Sequence, residues 1–339
     1  RILTEDVKES TKRVYKANMK WKNRLPFAGM LMKIIDYHKN AKIIRREYEY
    51  DIIVFNFGLI GLLSAYRLNR TKVITFFNDF NSSSLSWKNF EFSRVWIRYY
   101  VFKFFERLTV QRSNYVILNS IALKKEFARE YNLNSNKLQV LYKGLDLSSC
   151  PDRFNFNGIN KNEIINIVFV KSDYKTGGLC NLIDALSMID KYKFLLTIIG
   201  PRDHEKDFIS EYASSRSVDF VFEGRKSQTE LYEILRTRAD IFCVPSVKEG
   251  LGVANMEAMV HSVPVVSTAV GGIPEVLDNG NAGWLCLPAN PTDLSNVLQM
   301  CIDDQSSTRS KVKHGFNRVH EKFSSNLLIK NFKKILDEV

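Results

Sequence analysis

Short runs continuous in Val, Ile, Leu and Phe recur along the chain, separated by longer stretches in which apolar residues return every three or four positions. The runs cover residues 51–57, 72–77, 115–118 and 138–142 in the first half, and 164–170, 194–199, 218–222, 241–244 and 264–267 in the second. A strand with one face in water alternates apolar and polar positions. These runs do not alternate, which is the pattern of strands covered on both faces in a parallel sheet. Residues 181–191 and 228–238 carry the helical period between them. The order βαβα, given twice, predicts an α/β protein of two Rossmann-like, doubly wound parallel-sheet domains.

A polar interruption at residues 147–158, with Pro151 and Gly158 and no periodicity, marks the boundary between the halves. The expected organisation is a first domain over 1–150, a second over 151–322, and a terminal helix within 323–339 assignable to either. No internal repeat is visible.

At 339 residues, 45% of them hydrophobic, the chain is long enough for two cores of ordinary size, which excludes a disordered or fibrous protein. The five cysteines, Cys150, Cys180, Cys243, Cys286 and Cys301, show no C-x-x-C spacing. Neither a disulfide framework nor a zinc site is indicated, and a reducing, cytoplasmic setting is expected. No apolar run approaches the roughly 18 residues that span a bilayer. Position 1 is Arg rather than Met, so the natural start is expected upstream. The charge divides unevenly: residues 1–150 hold 27 Lys+Arg against 13 Asp+Glu, a net of +14, while 151–339 hold 22 against 24. A basic half of this kind attracts anionic lipid, phosphorylated acceptors or nucleic acid, and it is equally the mark of a solvated, lysine-rich surface.

Candidate chemistry concentrates at residues 239–259. A strand runs into a glycine loop, and a helix follows from Val253. Such a turn leaves backbone N–H groups converging where the helix dipole favours an anion, so Gly250, Leu251, Gly252 and Val253 read as a diphosphate cradle. Glu249 stands in the loop and Glu257 lies eight residues on, along the helix. Carboxylates are poor phosphate ligands but good acceptors for hydroxyls. Hydroxyls on either side of phosphates describe a nucleotide sugar. Taken alone, the two glutamates would be a capping residue and a surface carboxylate.

The motif PSxxEGxGxxxxEAM at 245–259, followed by PVVSTAVGGIPEV at 264–276 and NGNAGWL at 279–285, resembles the donor-binding half of the retaining GT-B glycosyltransferases of family 4. Residues 116–120, 137–146 and 182–186 continue the likeness more loosely. The resemblance implies the GT-B fold, with a cleft between two Rossmann-like domains, and transfer of a sugar from a nucleotide-diphosphate sugar to an acceptor hydroxyl. By position it implies that Glu249 holds hydroxyls of the transferred sugar and Glu257 the ribose. The amides of Leu251, Gly252 and Val253 would meet the diphosphate, and the main chain of Phe222, Glu223, Gly224 and Arg225 the nucleobase.

The chain also departs from that family. Its members usually carry Gly-Arg at the end of the second domain's first strand and Lys-Gly shortly after. Here residues 170–178 read VKSDYKTGG, leaving Lys171 and Lys175 as the cations for a departing diphosphate and Gly177–Gly178 as part of an anion nest. On the acceptor side a frequent His-Asp pair reads Asn78-Asp79, and Asn78 offers hydrogen bonds but no proton transfer near neutral pH. None of the five histidines is placed in the crevice. Lys143 stands where relatives often have Asn, and the family's opening strand, glycine loop and helix have no counterpart ahead of residues 1–5.

The expectation is therefore a retaining glycosyltransferase needing no metal or other cofactor, since lysines and helix N-termini can neutralise the charge and no Asp-x-Asp motif is present. Its partners would be a nucleotide-sugar donor and a glycan, lipid-linked or protein acceptor, and no nucleic acid. The alternative is a non-catalytic nucleotide-sugar-binding module or an inactive partner subunit, to which the altered cation motif, Asn78 and the missing opening unit point. An epimerase or hydrolase would need an acid–base residue that finds no place. Finally, residues 87–108 mix aromatics with Arg94, Arg98, Lys103 and Arg107, with Val95, Tyr99, Phe102 and Glu106 on one stripe. Between two strands, such a helix reads first as packed on its own sheet. The charge of its half keeps peripheral contact with an anionic membrane as the second reading.

Overall fold

The computed structural model describes residues 2–4, 14–16, 26–47, 51–56, 58–68, 71–79, 94–133 and 135–338. The chain forms two compact units, residues 1–141 with 337–339, and residues 142–336. The division falls ahead of the polar stretch 147–158. Leu145 explains why: its N–H donates to the Phe323 carbonyl at 2.7 Å and its carbonyl accepts from Ser325 at 2.8 Å, so this connection is tied to the end of the second unit.

The first unit runs β1 (Ile2–Thr4), β2 (Val14–Lys16), α1 (Pro26–Glu47), β3 (Ile52–Phe55), α2 (Leu62–Arg67), β4 (Lys72–Phe77), α3 (Arg94–Arg112), β5 (Tyr115–Leu118), α4 (Ile121–Tyr131) and β6 (Leu138–Val140). β1 and β2 pair with each other, and β3 to β6 form a parallel sheet in sequence order. Phe127 of α4 fills the centre, its ring 5.1 Å from that of Phe77 and 5.4 Å from Tyr131. Ser120 starts α4 by accepting the Leu123 N–H, one of the donors a helix cannot satisfy internally.

The second unit runs β7 (Ile165–Val170), α5 (Leu179–Ser187), β8 (Phe194–Ile199), α6 (Lys206–Ser214), β9 (Phe220–Gly224), α7 (Gln228–Thr237), β10 (Ile241–Val244), α8 (Val253–Val260), β11 (Val265–Thr268), α9 (Ile273–Val276), β12 (Trp284–Cys286), α10 (Pro291–Asp303), α11 (Gln305–Lys322) and α12 (Ser325–Asp337). Its six strands are parallel in the order β12-β11-β10-β7-β8-β9. The chain builds outward from β7 through β8 to β9, returns, and builds outward from the other side of β7 through β10 and β11 to β12. Right-handed crossovers in both directions put helices on both faces of the sheet. Every residue of β10 and β11 is buried as a result. The strand order reverses between β7 and β10.

The runs that lack alternation are strands within a residue or two of their expected ends. β12 was not expected: three residues directly after Gly283 are too few to show a period. Helix starts follow side-chain chemistry. Ser227 caps α7 in a reciprocal pair with Glu230, and Asn290 caps α10 with Pro291 at its first position. Phe242 sits in the middle of this core with no exposed surface. We expect Phe242→Ala to cost about 3–5 kcal/mol by removing that volume, lowering the urea midpoint of the second unit's unfolding transition. An unchanged midpoint would show that the core closes over the lost ring.

Candidate active site

The reversal between β7 and β10 is where the loops leaving two adjacent strands part, so polar groups on both loops can address one ligand. The loop after β10 carries Glu249 and the loop after β7 carries Lys171. The Lys171 ammonium donates to Glu249 Oε2, while Glu249 Oε1 accepts its neighbour's Gly250 N–H at 3.2 Å. The two side chains keep only 26% and 19% of their surface. An ion pair this sheltered is not the freely solvated kind that contributes little, and removing one member leaves the other charge poorly hydrated.

Backbone contacts fix the loops against each other. Gly271, in the loop after β11, has φ +52, and a Cβ there would lie 1.7 Å from the Glu249 carbonyl. Gly178, with φ +73, would put a Cβ 2.1 Å from the Pro245 carbonyl. Only glycine adopts these angles freely while admitting a backbone so close. Thr268 and Ser267 of β11 donate their hydroxyls to the carbonyls of Ser246 and Val244, holding the exit of β10. Glu249 is thus set by contacts from β11 and from the turn before α5.

Gly252 caps α8 with φ +91, and the first N–H groups of this eight-residue helix, beginning at Val253, have no partner within it. Leu251 is buried beneath the loop. The Gly250 N–H is engaged by the Glu249 carboxylate, which removes it from the cradle expected of Gly250, Leu251, Gly252 and Val253. Gly177–Gly178 does not form the anion nest expected of it. The Gly177 N–H donates to the Asp173 carbonyl at 2.9 Å and the Gly178 N–H to the Lys175 carbonyl at 3.2 Å, so the turn consumes its own donors and the pair serves close packing instead. Lys175 is exposed, its ammonium 5.7 Å from the Tyr174 ring centre; of the two expected cations, only Lys171 is joined to Glu249.

Glu257 is half-buried on α8 with surroundings of its own. Gln228 Nε2 reaches its Oε1 at 3.4 Å and also donates to the Tyr232 hydroxyl at 2.8 Å. His261, one turn along α8, bonds the Glu257 carbonyl through Nδ1 at 2.7 Å, and its ring lies tilted against that of Tyr232, the centres 4.5 Å apart. Burial pushes the Glu257 carboxyl up, against a smaller downward pull from Gln228, and burial likewise lowers His261. Gln228, Tyr232 and His261 were not expected here; the four-residue spacing of Glu257 and His261 was the available signal. Asn255 Oδ1 and Ser246 Oγ are buried beside the glycine loop without a hydrogen-bond partner; Ser246 is the serine of the 245–259 motif, while Asn255 falls on one of its open positions.

Gly224 ends β9, its carbonyl accepting the Gly200 N–H at 2.7 Å, and Arg225 beyond it is exposed. In the first unit, Asn78 and Asp79 follow β4, where the Asn78 carbonyl accepts from Asn119 Nδ2 at 2.8 Å and Asp79 is exposed.

Two family models match this chain: Glycosyltransferase Family 4 over residues 3–149 and Glycosyl transferases group 1 over residues 151–318. The chain belongs to the family 4 glycosyltransferases. An uncharacterised glycosyltransferase of Methanocaldococcus jannaschii is 27% identical over 68% of this chain and 68% of its own length. Two further curated relatives are matched over 58% and 54% of their length, so the chain spans between about half and two thirds of such relatives. Among solved structures, sucrose-phosphate synthase from Thermosynechococcus elongatus superimposes with a TM-score of 0.75 at 17% identity, covering 96% of this chain and 82% of that one. HepE of Anabaena, solved in complex with UDP and glucose, gives 0.69 at 18% identity, covering 96% and 86%. These likenesses establish the GT-B fold.

The Glu257 shift carries a sign that can be measured. Its folded pKa lies above that of the unfolded chain, so above the folded value both states are ionised and the fold bears the cost of a poorly hydrated charge. As pH falls toward the unfolded value, about 4.3, the folded protein takes up the proton first and the cost disappears. Glu257→Gln should therefore raise the melting temperature of the unliganded protein at pH 7.5, on the order of 2 °C, with the gain shrinking toward pH 4.5. A gain that grows with acidity would refute this reading of the site.

Proposed function

We propose that this chain is a retaining glycosyltransferase that moves a sugar from a nucleotide-diphosphate sugar to an acceptor hydroxyl in glycan, polysaccharide or glycolipid synthesis. The observation that carries the proposal is the sheltered Lys171–Glu249 pair at the reversal of the second unit's strand order, beside the start of α8.

In this reading the donor lies along the carboxyl edge of the second sheet. Glu249 accepts hydroxyls of the transferred sugar, Glu257 those of the ribose, and the main chain at Phe222–Arg225 borders the base. The diphosphate meets the amides of Leu251, Gly252 and Val253 at the positive end of α8, and Lys171 supplies positive charge where negative charge develops as the donor breaks. The anomeric carbon–phosphate oxygen bond breaks, and a bond to the acceptor oxygen forms on the same face. The acceptor's proton passes to the departing phosphate, so no side-chain base is called upon. Asn78 and Asp79 stand on the acceptor's unit. The UDP and glucose held by HepE fit the donor class proposed here.

Release of nucleoside diphosphate from UDP-, GDP- and ADP-sugars, with acceptors drawn from lipid-linked and free glycans, tests the proposal. Glu249→Ala should lower turnover by about a hundredfold or more while far-UV circular dichroism stays unchanged, and the product should keep the donor's anomeric configuration. A Glu249→Ala protein with full turnover, or an inverted product, would contradict it.

A further inference from the structure

Helices α7 and α8 both begin at the carboxyl edge of the second sheet, and they meet along two rungs whose residues are one turn apart on each helix. The inner rung is Tyr232 against His261, both buried, their ring centres 4.5 Å apart. The outer rung is Gln228 against Glu257. Ser227 caps α7, so Gln228 is the first helical residue, three positions beyond Arg225. The chain thus passes from the stretch assigned to the nucleobase to Gln228 within three residues, and Gln228 touches the carboxylate assigned to the ribose.

An ionised carboxylate only accepts, so the amide atom turned toward Glu257 is the nitrogen. Its two hydrogens have two acceptors, the Tyr232 hydroxyl at 2.8 Å and Glu257 Oε1 at 3.4 Å. Tyr232 is locked in the core, so the shorter bond fixes where the longer one points. Among the described residues, Gln228 is the one side-chain hydrogen-bond partner of the Glu257 carboxylate. Burial pushes that carboxyl up, and the pull in the other direction comes from Gln228.

The kind of partner matters. Glu249, the other carboxylate of the site, is held by the Lys171 ammonium, which offsets its charge. An amide fixes Oε1 of Glu257 without bringing a positive charge, so Oε2 remains a charged acceptor for a hydroxyl, the stronger kind of hydrogen bond. We propose that Gln228 is a positioning residue for the donor's ribose: it holds Oε1 of Glu257 and presents Oε2 to the ribose hydroxyls, which makes the site selective for ribonucleoside diphosphates. The inference rests on the reading of Glu257 given under the proposed function.

Calorimetric titration of the full chain with uridine, guanosine and adenosine diphosphate, and with the dideoxy form of each, which lacks both ribose hydroxyls, tests it. The ribonucleotide that binds should do so at least about tenfold more tightly than its dideoxy form. Gln228→Leu should weaken the ribonucleotide about tenfold and leave the dideoxy form's affinity unchanged; its exposed position leaves circular dichroism unchanged. In a Glu257→Ala background the same substitution should cost nothing further, since Gln228 acts through that carboxylate. A ribose preference that survives Gln228→Leu, a loss shared equally by both forms of the nucleotide, or losses that add in the double variant would overturn this inference alone. Binding of none of the three diphosphates, or equal binding of ribo and dideoxy forms by the unaltered chain, would overturn the donor reading of Glu257 and this inference with it.

Discussion

Two opposite charges, Lys171 and Glu249, are held half out of water where the strand order of the second unit reverses, and the candidate site is organised around keeping them there. A lysine and a glutamate on independent loops would spend most of their time hydrated and apart. Here each stands just beyond a strand of one parallel sheet, and the loops are fixed where the Gly271 and Gly178 backbones abut the carbonyls of Glu249 and Pro245. The sheet sets the separation of the two charges; the glycine contacts set their direction.

Much of this arrangement is legible in the sequence because it rests on backbone requirements. Unalternated apolar runs follow from covering a parallel sheet on both faces, and the Gly252 bend followed by a helix follows from the angles a cradle needs. What the sequence left open depends on which donor meets which acceptor. Lys171 and Lys175 are equivalent as letters, and only the path of the chain after β7 joins one of them to Glu249. Gly177–Gly178 has the composition of an anion nest, yet Asp173 and Lys175 take up its N–H groups within the turn. β12 is three residues long and owes its existence to its neighbour β11 rather than to any pattern of its own. Gln228 and Tyr232, on α7, come beside Glu257 through tertiary packing that no local spacing announces, whereas His261 follows Glu257 by one turn of the same helix.

The two units separate different physical demands. The second is nearly neutral, buries Ser246 and Asn255 beside its glycine loop and half-buries Glu257 on α8, where burial pushes the carboxyl up. A protein that minimised energy alone would place an amide there. The first unit carries the basic charge; among its described residues Asp36 of α1 and Glu106 of α3 are buried, and Lys39, Lys42 and Arg46 of α1 and Arg107 and Arg112 of α3 are exposed. Folding alone asks only that α1 and α3 bury one apolar stripe each.

A double-mutant cycle on donor turnover, using Lys171→Met, Glu249→Gln and the combined variant, tests the central pairing most directly. If the two charges act as one unit, the combined variant loses little more than the more damaging single one, a marked departure from additivity. Losses that simply multiply, as for distant and independent sites, would contradict the account.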